Sequence, residues 1–258
     1  MSNSIIANNF LILSIAAFFL GLDKGGFRNL SVVCMYLLLT FIPSKQVIGI
    51  LAPIFLLGDI LPIIIYRKHI NFKAVKYFVP LAIIGIIITS FFASFIDDRV
   101  FTIFISFFLL LMVIMITYQE IKKYIDYKKG IVVELKPLNK PITLFLSFLS
   151  GVSTISNAAG SIVCLYFLRQ TKEKKEFVGS TALFFISLNI TKTIIFALFW
   201  KNINIETLTI TASMLPGLLV GLLASIGLIK IIPQKIYNFI VILSVYYIIV
   251  VLFINNLF

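Results

Sequence analysis

Runs of about 20 apolar residues, long enough for a helix to cross the hydrocarbon core of a bilayer, recur along this sequence at residues 47–66, 74–96, 100–118, 177–200, 205–229 and 236–254. No other feature restricts the fold as much. Lipid offers no partner to backbone N–H and C=O groups, so a spanning run of this kind is a helix. Composition agrees: 60% of the 258 residues are hydrophobic and 12% are charged, against about 45–50% and about 25% in soluble domains. A soluble fold would be left with large exposed apolar patches, which drive association. Secreted disulfide scaffolds, disordered tails and nucleic-acid modules are thereby excluded. The net charge of +12 reads as basic cytoplasmic loops rather than as a nucleic-acid footprint. Two cysteines and one histidine offer no metal or disulfide framework, and no cofactor is expected. The N-terminal stretch lacks the basic flank of a cleaved signal and reads as a retained first span.

Two regions break the pattern. The apolar run from Ile5 to Leu22 leads into DKGGFRN at 23–29 and then a short apolar piece at 30–42. The stretch 142–152 leads into STISNAAG at 153–160 and then a short piece ending near Leu168. Glycine, asparagine and charge at membrane depth survive only where the backbone is buried in protein or lines a cavity. Each region therefore reads as a broken, re-entrant helical hairpin.

The long polar connection at 119–141 divides the chain into two halves that match each other. At an offset of 130, SVVCMY at 31–36 meets SIVCLY at 161–166, Gly21 meets Gly151, Gly49 meets Gly179, Ala52 meets Ala182 and Asp59 meets Asn189. The offset then drifts to 136, where Pro80 meets Pro216 and Gly85 meets Gly221. If each broken segment enters and leaves on one face, the loops at 67–76, 119–141, 169–176 and 230–235 share a side and hold 16 Lys and Arg, against three (Lys45, Arg99 and Lys201) opposite. If each were a full crossing, the split would be 11 against 8. The positive-inside rule selects the first arrangement. The expected fold is an all-α polytopic membrane protein of two inverted repeats, each a broken hairpin plus three full transmembrane helices. The division is 1–118, a cytoplasmic linker at 119–141, and 142–258. An odd number of crossings per half inverts the second repeat, a common transporter architecture, and places both termini outside.

Lys24, Arg28 and Lys192 lie at membrane depth together with Asp23 and Asp59. Each such group costs at least about 2.5–3.5 kcal/mol to insert. The surplus positive charge suits an anionic solute, and closed ion pairs, such as Asp59 with Lys192, are the structural alternative. Ser153, Thr154, Ser156 and Asn157 are natural caps for the helix after the second break. Gly25 and Gly26 permit a sharp turn, and Asn29 can cap the helix that follows. Helix N-termini meeting near the midplane make an oxyanion site; small residues at 157–160 could equally serve close helix packing. Ser180, Thr181, Ser187, Asn189 and Thr191 make the run at 177–200 polar enough to line a pathway or to bond across helices. Cys34 and Cys164 read as small hydrophobes, and His69 as a solvated loop residue. Nucleotide-binding fingerprints and hydrolase motifs are absent, so no enzyme activity is expected.

GLDKGGFRNLSVV in the first half, then GVSTISNAAGSIVCLYFLR and EFVGSTALFFISLNITK in the second, resemble the sulfite exporter TauE/SafE family over nearly the whole chain. The sequence keeps Lys24, Gly25 and Gly26, then Asn157, Ala158, Ala159 and Gly160, then Phe177, Val178 and Gly179, then Asn189 and Lys192. It has Ser161 where the family pattern has Pro. The resemblance implies a duplicated permease for small, mostly sulfur-containing anions.

The expectation is therefore a secondary anion transporter of the cytoplasmic membrane, with a small anionic solute and the lipid bilayer as partners and a homo-oligomer as a further one. Lys24, Gly25, Gly26, Thr154, Asn157, Gly160, Asn189 and Lys192 would bind substrate, and Asp23 or Asp59 would carry a coupling proton. The alternatives are a passive anion channel and a non-transporting membrane subunit of a redox complex.

Overall fold

The computed structural model describes residues 2–27, 30–93, 138–155 and 159–231, with isolated positions between 95 and 125. The spans expected at 100–118 and 236–254, most of the linker, Arg28, Asn29 and Ser156–Ala158 lie outside the described residues. The described residues form eight α-helices: α1 (Ser2–Gly25), α2 (Ser31–Leu39), α3 (Ser44–Tyr66), α4 (Phe72–Ala93), α5 (Lys140–Thr154), α6 (Gly160–Gln170), α7 (Lys174–Leu198) and α8 (Ile205–Ile231). Five of them contain stretches long and apolar enough to cross a membrane, namely Ser4–Gly25, Ser44–His69, Phe72–Ala93, Lys174–Leu198 and Ile205–Leu228. The remaining three are short. At about 1.5 Å per residue α5 is about 22 Å long, less than the roughly 30 Å of a hydrocarbon core. The first break comes later than expected: α1 runs on through Asp23 and Lys24, and the chain turns at Gly26, whose φ of 137° is open to glycine and strained for other residues.

Helix directions follow from the close contacts. Gly217 packs on Ser14 and Ala17, Gly221 on Phe18 and Gly25 on Ser225, so α1 and α8 are parallel. Ser147 Oγ donates to the Phe78 carbonyl, while Gly151 packs on Ala82 and Gly85 on Phe148 and Val152; α4 and α5 are parallel too. Thr211 Oγ1 donates to the Ile50 carbonyl at 3.0 Å and Leu218 touches Gly58, which sets α8 parallel to α3. The Phe78 and Phe184 rings lie 5.3 Å apart and Trp200 Nε1 donates to the Ser90 carbonyl at 3.2 Å, which sets α4 parallel to α7. Between α3 and α7 the order reverses: Gly179 meets Tyr66, Asn189 meets Asp59, and Gly49 meets Asn202. These two helices are antiparallel and cross near their centres.

The α1–α8 and α4–α5 interfaces repeat each other in two glycine-to-carbonyl contacts. A methyl group on Gly21 would overlap the Leu218 carbonyl oxygen, and one on Gly151 would overlap that of Ala82. One on Gly221 would overlap the Phe18 carbonyl oxygen, and one on Gly85 that of Phe148. Residues 130 or 136 apart in sequence thus make the same contact at the two interfaces, each of which joins a helix of one half to a helix of the other. The physical reason is that helices in lipid gain little from hydrophobic exclusion, so their association depends on small residues that let backbones touch.

The two ends differ in charge. Asn71 donates its backbone N–H to Ser180 Oγ at 2.8 Å and its side-chain amide to the Gln170 carbonyl and Glu176 Oε1 at 3.0 and 3.1 Å. Arg67, Lys68, Arg169, Lys172, Lys174 and Lys175 are thereby gathered at one end. At the other end Asn202 donates to the Lys45 carbonyl at 2.8 Å, which brings Lys45 beside Lys201.

Candidate functional site

The C-terminal end of α1 and the break between α5 and α6 both reach the level at which α3 crosses α7. α1 arrives from the Lys45 end of the molecule and α5 from the basic end, so two chain breaks face each other deep inside the helices. Asp23, Lys24 and Ser31 from the first break, Thr154, Ala159 and Gly160 from the second, Phe55 from α3 and Phe185, Asn189 and Lys192 from α7 line one cavity. It has about 30 Å³ of free space, enough for a water or two at the roughly 10–15 Å³ that one water centre needs.

Its floor is a buried charge network. Lys24 Nζ lies 2.8 Å from Asp59 Oδ1 and 2.9 Å from Oδ2, and Asn189 Nδ2 donates to Asp59 Oδ2 at 2.7 Å. Asp59 has no exposed surface, and Lys24, Asn189 and Lys192 are buried as well. The partner of Asp59 in the ion pair is Lys24 rather than the Lys192 considered from sequence. The ammonium of Lys192 stands 4.8 Å over the Phe55 ring, and that of Lys24 stands 4.8 Å from Phe55 and 5.4 Å from Phe185. Aromatic faces attract cations most where water is excluded.

The site sits where the two halves meet. Asp59 and Asn189 are related by the 130-residue offset and are hydrogen-bonded to each other, so each faces its own counterpart. Phe55 and Phe185 are related in the same way and flank the Lys24 ammonium from both halves. Phe55, Phe185, Ser31 and Ala159 were missed by sequence reasoning; the repeat offset was the signal that could have found them, since it pairs Phe55 with Phe185 across the equivalent spans.

The expected residues divide into those that reach the cavity and those that do not. Lys24, Thr154, Gly160, Asn189, Lys192 and Asp23 line it, and Asp59 underlies it. Gly25 faces away, its α-carbon against Ser225 of α8, and the Gly26 N–H is used in the turn, donating to the Asp23 carbonyl at 3.2 Å. Asn157 and Arg28 lie outside the described residues. The expected caps are also placed differently. Ser153 and Thr154 end α5, and both donate back to the Ser150 carbonyl, at 3.2 and 2.6 Å; α6 starts after Ala159 without a side-chain cap. The start of α2 is held by Asp23, which accepts from the Ser31 N–H at 3.2 Å and Ser31 Oγ at 3.3 Å. A carboxylate there complements both the free N–H groups and the positive end of the helix dipole.

Chemically, the arrangement offers two ammonium groups and an amide next to a small cavity, an anion-binding set. The buried described charges are Lys24 and Lys192 against Asp23 and Asp59, which balance. The family model described as Sulfite exporter TauE/SafE matches residues 10–252. No curated protein and no solved structure matches the chain.

Proposed function

We propose, because this chain belongs to the sulfite exporter TauE/SafE family, that it is a secondary transporter carrying a small sulfur-containing anion across the cytoplasmic membrane through the cavity between the two chain breaks. The family and the membrane-spanning helices make it a multi-pass membrane transporter. The observation that carries the finer reading is the buried pair of ammonium groups, Lys24 and Lys192, on one cavity with Asn189. An anion stripped of water needs fixed positive charge and donors to replace its hydration. Lys24 and Lys192 supply the charge, Asn189 and the backbone around Gly160 the donors, and Thr154 shapes the wall.

The halves at 1–118 and 142–258, joined by the linker at 119–141, act as inverted repeats. Support comes from the direction of the helices: α1, α3 and α8 run one way while α4, α5 and α7 run the other, so each element opposes its counterpart. Since α1 and α3 are parallel, the chain between them must double back through α2, as a re-entrant hairpin does. The segregation of Arg67, Lys68, Arg169, Lys172, Lys174 and Lys175 at one end supports a cytoplasmic position for that end, with both termini on the opposite side. Rocking of α1, α3 and α8 as one unit against α4, α5 and α7 as the other, about the crossing of α3 and α7, opens the cavity to each side in turn. A cavity of about 30 Å³ supports a carrier over an open pore.

The test is a thermal-shift panel on detergent-purified protein with sulfite, sulfate, thiosulfate, taurine, sulfoacetate, acetate and chloride at fixed ionic strength. A ligand that binds only the folded state raises the melting temperature by mass action. One sulfur anion is expected to stand clear of acetate and chloride, with the shift lost in Lys24→Ala and the same anion moved into liposomes. A flat panel together with absent flux overturns the reading.

A further inference from the structure

We infer that Asp59 is the coupling group: an anion enters the site only as Asp59 takes up a proton, and the two cross together. The inference rests on the anion site proposed above and adds what drives it. Asp23 and Asp59 were equivalent candidates in the sequence, and their surroundings separate them. Asp23 accepts from the backbone N–H and hydroxyl of Ser31, so its charge holds the start of α2 and is committed to the fold. Asp59 instead joins side chains of the site. Its two oxygens take the Lys24 ammonium and the Asn189 amide, groups from the first and the second half.

Charge balance requires a partner for the anion. The groups that face Asp59 are Lys24 from α1 and Asn189 and Lys192 from α7, and Asp23 lines the same cavity. The titratable residues of the other helices packed on α3 are Cys34 and Tyr36 on α2 and Glu206 and Lys230 near the ends of α8. With two cations and two carboxylates, the described site is neutral, and a bound anion would leave it negative in surroundings that stabilise charge poorly. One proton on Asp59 offsets one unit of that charge, which restores the balance for a monoanion and leaves a dianion such as thiosulfate with a single net negative charge to carry. It also frees Lys24, because a protonated carboxyl attracts an ammonium far less than a carboxylate does, and the freed ammonium turns to the anion. In each cycle a proton leaves water on one side, sits on the Asp59 carboxyl during the crossing and returns to water on the other side. No bond within the anion changes.

Proteoliposomes carrying an internal pH dye and radiolabelled thiosulfate, which has no proton of its own to carry near neutral pH, decide the matter. With voltage clamped at zero, an inward proton gradient is expected to concentrate thiosulfate about tenfold per pH unit, with one proton entering per anion. Asp59→Asn is expected to bring the proton-to-anion ratio of the remaining flux toward zero. The exchanged pair Asp59→Asn with Asn189→Asp is expected to restore it, because the carboxyl then stands on the counterpart position. Wild-type transport that ignores the proton gradient overturns the inference and leaves the anion site standing; this holds even where Asp59→Asn fails to insert. An unchanged ratio in Asp59→Asn also overturns it. Thiosulfate that fails to move under any gradient, together with a flat binding panel, overturns the site itself.

Discussion

Replacing Lys24 with Met tests the charge network through stability alone. The ammonium is held at 2.8 and 2.9 Å from the two oxygens of Asp59, and the carboxylate is completely buried. Met fills much the same volume but takes the ammonium away from that carboxylate, while the Asn189 amide stays on it. Removing one member of a buried ion pair costs about 3–5 kcal/mol, because the other charge is stranded. At about 2–4 °C per kcal/mol for a chain of this size, the melting temperature should fall by about 6–20 °C. Adding Asp59→Asn to Lys24→Met removes the stranded charge, and the new amide can still accept from Asn189. Most of the loss should therefore be recovered, a non-additivity of about 3 kcal/mol where independent sites agree within about 0.5 kcal/mol. The assay is thermal melting of purified protein in one detergent for wild type, both single variants and the double. A Lys24→Met variant that melts within about 2 °C of wild type, or single-variant losses that simply add in the double, would refute the argument.

Further expectations follow from the packing and the ends. Gly85→Val and Gly221→Val, which drive side chains into the Phe148 and Phe18 carbonyls, should each abolish a monodisperse peak in size-exclusion chromatography, whereas Gly227→Ala, with nothing within 4 Å among the described residues, should leave it intact. After Cys34 and Cys164 are replaced, a thiol introduced as Thr154→Cys should react with a small charged thiosulfonate and be protected by the transported anion. A thiol introduced as Leu219→Cys, on the lipid-facing side of α8, should show no such protection. In sealed oriented vesicles, a membrane-impermeant maleimide should label Lys68→Cys from one side and Lys201→Cys from the other; labelling of both from the same side would contradict the antiparallel crossing of α3 and α7.

Much of the fold was legible because lipid imposes a simple rule, that long apolar runs become helices. The expected runs at 47–66, 74–96, 177–200 and 205–229 match α3, α4, α7 and α8 within a few residues. The glycine coincidences between the halves were legible as well, since Gly21, Gly85, Gly151 and Gly221 are each placed by a backbone contact that only glycine permits. Sequence did not reveal which cation pairs with Asp59. That choice depends on α1 ending beside the centre of α3, a tertiary fact with no local signature, and the same fact places Gly25 against α8 rather than in the cavity. Ser153 and Thr154 were misassigned as opening caps for a related reason. Ser153 and Thr154 are as well suited to close a helix through bonds to their own preceding turn as to open the next one, and only the continuation of α5 to Thr154 decides between the two. Phe55 and Phe185 were hidden among 26 phenylalanines, most of which any membrane helix would carry.

If the two halves are inverted repeats, as proposed above, the bond between Asp59 and Asn189 carries a consequence for how such a chain can come about. A position that faces its own counterpart is the one place where two identical halves, held together as separate molecules, must show the same residue twice. Two carboxylates there would repel each other, and two carboxamides would give Lys24 no anion to hold. Joining both halves in one polypeptide removes that restriction, since each copy of the position can then change alone. A single acid, a single neutral donor and a lysine shared between them become available only after the fusion, so the covalent linkage is what permits an asymmetric charge at the centre of an otherwise two-fold scaffold.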